Sequence, residues 1–94
     1  MDDDWYIGES WFDDHRLEVH FELLNSNNDR LLFALRSITI DDHPSFPNDG
    51  ALDNFQYAEE QMLSMACGLV NNGHYSDEGV FNIKKGLFNR YYSG

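Results

Sequence analysis

Arg16-Leu17-Glu18-Val19-His20-Phe21-Glu22-Leu23-Leu24 is the stretch that decides the fold. Leu17, Val19, Phe21 and Leu23 alternate with Glu18, His20 and Glu22. Strand side chains point to opposite faces in turn, so this period of two predicts a half-buried strand over 16–24. The four apolar residues are expected in the core and the three polar ones outside. Working outward, Asn25-Ser26-Asn27-Asn28-Asp29 has the length and composition of a hairpin loop. Residues 30–40 are apolar on both faces, with Leu31, Phe33 and Leu35 against Leu32, Ala34, Ile38 and Ile40, which suits a central strand. On the other side, Asp13-Asp14-His15 reads as a polar turn. Trp5-Tyr6-Ile7-Gly8-Glu9-Ser10-Trp11-Phe12 is rich in aromatic strand formers.

The predicted fold is therefore α+β, in one domain spanning 1–94. A three-stranded antiparallel sheet (about 5–12, 16–24 and 30–40) comes first. The Pro44 and Pro47 region breaks the chain. Asn48 or Asp49 is then placed to cap a long helix over about 50–71. Its apolar stripe is Leu52, Phe55, Ala58, Met62, Met65 or Ala66, and Leu69. Asn71-Asn72-Gly73 supplies the stop. The segment at about 77–92 fits a helix or a hairpin. Ser76 resembles a cap and Val80, Ile83, Leu87 and Tyr91 share a helical face, while Lys85-Gly86 is a candidate hairpin turn.

Charge narrows the function. The chain has 94 residues, 17 Asp plus Glu against 6 Lys plus Arg, and a formal net charge of −11. Residues 1–29 hold nine acids and one base; residues 79–94 hold no acid and three bases. A nucleic-acid binder normally carries a basic footprint, so direct binding to DNA or RNA is not expected, and anionic membranes are disfavoured on the same ground. No apolar run reaches the length of a membrane span. Met-Asp-Asp-Asp at the start is the opposite of a basic leader, and a single cysteine, Cys67, suits a reducing cytoplasm.

No motif carries enzyme chemistry. Glu18 and Glu22 on one strand face are about 13 Å apart, too far for a glycosidase pair. Cys67 lies in a helical stretch where cysteine is usually a small hydrophobe. Gly68, Gly73 and Gly79 are too scattered for a phosphate loop. The two Asp-Asp-His tripeptides, at 13–15 and 41–43, hold metal-ligand residue types, but they match no compact metal motif and are ordinary turn residues. No catalytic residue, metal or cofactor is therefore assigned.

What remains is recognition. Strand side chains on one face repeat every ~6.6 Å, close to the phosphate spacing along a nucleic-acid chain. Glu18 and Glu22, with Asp13, Asp14, Asp41 and Asp42 at the end of the sheet, form a candidate face for a basic protein partner. Trp5 and Trp11 are the candidate aromatic anchors. In size and charge the chain is similar to small acidic anti-CRISPR, anti-restriction and toxin-immunity proteins, a likeness of composition alone. The expected function is an acidic inhibitor that occupies a nucleic-acid-binding effector or nuclease as a charge decoy. The alternative is a small interaction module with an aromatic interface, including a homodimer, and no nucleic-acid-related target.

Overall fold

The computed structural model describes residues 5–43, 46 and 50–92. It is a four-stranded mixed sheet with four helices: β1 (Tyr6–Asp13), β2 (Glu18–Leu24), β3 (Arg30–Arg36), α1 (Ser37–Asp41), α2 (Ala51–Tyr57), α3 (Glu59–Asn71), β4 (Val80–Ile83) and α4 (Lys85–Tyr91). The strand order is β1-β2-β3-β4. The first three strands are antiparallel neighbours, and β4 lies parallel to β3. This corrects the expected three-stranded antiparallel sheet with one long helix. A parallel neighbour requires a crossover, and α1, α2 and α3 supply it.

The period of two in β2 sets two faces. Val19, Phe21 and Leu23 are fully buried, with Phe33 and Leu35 of β3, beneath Phe55, Met62, Met65 and Leu69. The ring of Phe21 lies 5.3 Å from that of Phe33 and 4.8 Å from that of Phe55. Three expectations for this strand are corrected. Leu17 is 58% exposed because it closes the β1–β2 turn with φ +56°, where its amide donates to the Asp13 carbonyl. His20 and Glu22 are each only 9% exposed, although they point away from the core. Their sheet neighbours cover them.

The predicted strand over 30–40 stops at Arg36, where the chain turns into α1 and buries Thr39 and Ile40. The predicted helix over 50–71 is two helices that meet at Ala58 (φ −108°, ψ 34°). Its stripe still faces the core. The caps suggested at Asn48 or Asp49 lie outside the described residues. At the far end, the Gly73 amide donates to the Val70 carbonyl and the His74 amide to the Leu69 carbonyl. With Gly73 at φ +82°, this is a Schellman stop, whose left-handed residue favours glycine.

Residues 77–92 form neither one helix nor a hairpin. Gly79 (φ +86°) opens β4, whose Phe81 and Ile83 face inward and whose Val80 and Asn82 face outward. Lys85-Gly86, the candidate hairpin turn, instead begins α4. Phe88 and Tyr92 stack at 4.8 Å beside His43 and Phe46.

Candidate partner-binding surface

Register places Tyr6, Trp11 and Asp13 of β1, Glu18, His20 and Glu22 of β2, Arg30 and Arg36 of β3, and Val80 and Asn82 of β4 on the outer face. The core and the residues packed against it draw on the other face. The outer face thus carries three acids, and two arginines share it with them.

Two acid groups on it behave differently. At the hairpin end, the Trp11 ring stacks on His20 at 5.7 Å. His20 Nε2 lies 3.0 Å from Glu18 Oε1 and 3.7 Å from Asp13 Oδ2. Asp13 Oδ1 accepts the amide hydrogens of His15 and Arg16. The Arg16 amide is the main reason that the Asp13 carboxyl is held below the usual carboxylate range; desolvation opposes it, and the His15 amide and nearby positive charge assist. Further along, Glu22 is committed to the fold. Its Oε1 accepts the Glu9 amide at 3.0 Å and its Oε2 accepts Arg30 Nε at 2.6 Å. Those bonds, the Glu9 amide first and Arg30 second, lower its pKa against desolvation. The register of β1 shifts between Ile7 and Ser10. Gly8 allows this bulge, since a Cβ there would stand 2.7 Å from Glu22 Oε1 and from Leu24 Cδ1.

With β1 at the open edge of the sheet, Trp11 is 38% exposed. It borders an open hollow of about 740 Å³ with Glu9, Ser10, Gln56 and Glu59. Gln56 Nε2 donates to Ser10 Oγ at 3.4 Å and ties α2 to the strand. Asp14, Asp41 and Asp42 are exposed, the first in the hairpin turn and the others at the end of α1. Trp5 stands apart. It packs against the core and borders a hollow with Arg30, Val70, Tyr75 and Asp77, about 20 Å from Trp11 at a strand's rise per residue.

The structure therefore joins Trp11, Asp13 and Glu18, sets Glu22 aside in an ion pair, and separates Trp5. It adds Glu9, Glu59, Gln56 and His20. A glycine inside a strand pattern was the available signal for Glu9, because a bulge resets the alternation. Nothing local in the sequence placed Glu59 beside Trp11.

The second Asp-Asp-His turn does not join the first in a metal site. The His43 ring lies among those of Phe46, Phe88 and Tyr92. Among the described residues, no group of three or more His, Cys, Asp and Glu side chains is arranged to hold a metal ion. No helix among them is long and apolar enough to cross a membrane. No protein-family model, curated protein or solved structure matches the chain.

Proposed function

We propose that this protein is an acidic inhibitor that docks on a basic, nucleic-acid-binding protein surface and holds it as a charge decoy. The observation that carries the reading is Trp11 on the open β1 edge, exposed at a hollow that Glu9 and Glu59 also line. Asp13 and Asp14 lie at the end of the same strand and in the turn after it. Charge complementarity steers a basic partner to this edge, and a desolvated tryptophan supplies the affinity that exposed charge does not. Asp41 and Asp42 extend the field beyond the hairpin end. The role is one of binding, without a catalytic step, in a reducing cytoplasm where Cys67 remains a thiol.

A second reading rests on the outer face, which exposes Tyr6, Trp11 and Val80. An aromatic interface there, including one between two copies, would hold by apolar burial instead of charge.

Affinity capture from the native cell with mass spectrometry distinguishes the two. Wild type is compared with Trp11→Ala and with the Glu9→Gln, Asp13→Asn, Asp14→Asn, Glu59→Gln variant. The expected capture is a basic nucleic-acid-binding protein that added nucleic acid displaces, that elevated salt weakens, and that both variants lose. Capture that withstands salt and survives the four-site variant but fails with Trp11→Ala refutes the decoy and supports the apolar interface.

A further inference from the structure

The basic residues of this acidic chain are gathered in one place. Of its six Lys and Arg, four line a single hollow of about 670 Å³: Arg16, Arg36, Lys84 and Lys85. The topology that sequence reading missed brings them together. Leu35 pairs with Ile83 across the parallel β3–β4 ladder, so the strand ends that follow, at Arg36 and Lys84, run side by side. Arg16 comes from the β1–β2 turn. Ala34, the smallest side chain in its row of the sheet, leaves the space, and Asn82 adds a neutral amide at the wall.

These four cations are exposed, and none makes an ion pair among the described residues. One acid, Glu18, also lines the hollow: it stands opposite Arg36 in the register, and its Oε1 is bonded to His20. Seventeen acids were available as partners. Four cations against one carboxylate leave the hollow net positive, and a cleft lined mainly by one sign of charge concentrates ions of the other.

We infer that this hollow binds a small phosphate-bearing anion. Guanidinium forks and ammonium groups are the donors that pair with phosphate oxygens, and the hollow is lined by two of each. Size follows from the rest of the molecule. A short anion stays within reach of the four cations, whereas a long polyanion extends beyond a Debye length of ~10 Å at 0.1 M salt and meets the acidic surface. A free phosphorylated compound is therefore favoured over a nucleic-acid strand.

The test is a titration of the isotope-labelled full chain with pyrophosphate, followed by amide chemical shifts and by calorimetry. A short single-stranded DNA forms the second arm. The variants are Lys84→Ala with Lys85→Ala, and Arg36→Gln. Arg90→Ala, outside the hollow, is the control, and circular dichroism checks the fold. All four substituted residues are exposed, so the fold is expected to persist. Pyrophosphate is expected to shift amides around 16, 36 and 82–85, with binding weakened at least about tenfold by the hollow variants and unchanged by Arg90→Ala. Shifts scattered over the surface overturn the inference, as does binding within about twofold of wild type in the folded Lys84→Ala, Lys85→Ala variant. DNA binding tighter than pyrophosphate overturns the small-anion assignment.

Discussion

Removing the Glu22 carboxylate tests how the β1 edge is held. Glu22→Ala withdraws two acceptors at once: the one for the Glu9 amide in the bulge and the one for Arg30 Nε. A hydrogen bond to a charged group contributes about 1.5–3 kcal/mol. The Arg30 side chain is 52% exposed, so its share falls to about 1 kcal/mol or less, because water screens and replaces the pair. The expected loss is therefore about 2–3 kcal/mol, which lowers the melting temperature by roughly 10–20 °C in a domain of this size. Glu22→Gln keeps an oxygen for the Glu9 amide and is expected to lose about 1 kcal/mol. The acid dependence follows from the same bonds. Glu22 titrates below its ordinary value of 4.5 in the folded protein, so the unfolded chain takes up the proton first as pH falls. The stabilisation is complete above the ordinary value and disappears as pH drops through the folded value. Urea denaturation followed by circular dichroism at about pH 7 and about pH 3 measures both effects. A Glu22→Ala loss below about 0.5 kcal/mol refutes the reasoning, as does an equal difference between wild type and Glu22→Gln at the two pH values.

Two further substitutions probe the packing beneath the sheet. Phe55→Ala removes a fully buried ring that lies 4.8 Å from Phe21, and chemical denaturation is expected to show a loss of about 3–5 kcal/mol. Gly68→Ala places a Cβ 2.9 Å from Tyr91 Cδ1 where α3 meets α4, so it is expected to destabilise by about 1–2 kcal/mol in the wild type. In a Tyr91→Ala background the same substitution is expected to stabilise, by up to about 1 kcal/mol, through helix propensity.

Legibility followed the distance over which each feature is determined. Val19, Phe21 and Leu23 are assigned correctly because parity along a strand is local. The stripe from Phe55 to Leu69 is equally readable, because helical spacing survives the break at Ala58. That break escaped notice because neither glycine nor proline marks it. Leu17 was misplaced because apolar character gave no warning that the turn needs a residue at positive φ. His20 and Glu22 were misplaced in depth, not in direction, because their cover comes from Trp11, the bulge at Gly8 and the neighbouring strands. β4 was lost for a different reason. Four residues are too few for alternation to prevail over a helical pattern through Val80, Ile83, Leu87 and Tyr91, and parallel pairing to β3 is a long-range event. The basic hollow depends on that pairing, so no inspection of Lys84-Lys85 alone could have shown Arg36 beside them.

The two proposed sites share one row of the sheet, and its dimensions govern whether they act together. Trp11 pairs with His20, His20 with Ala34, and Ala34 with Asn82. Three strand spacings separate the tryptophan on the acidic edge from the amide at the basic hollow, about 14 Å. At the hairpin end the charges are closer: Glu18 lines the hollow opposite Arg36, and the Arg16 charge acts on the Asp13 carboxylate. The separation exceeds the Debye length of about 8 Å at physiological salt but is half of the roughly 30 Å at 0.01 M. At physiological salt, then, the Trp11 end is screened from the hollow, whereas Asp13 and Glu18 stay within its field. In dilute buffer the fields overlap. The four cations of the hollow then oppose a basic partner along the whole β1 edge, and an anion bound among them relieves that opposition. Coupling between the sites thus runs through Asp13 and Glu18 at the hairpin end and reaches Trp11 only as ionic strength falls, and no movement of the backbone is needed to produce it.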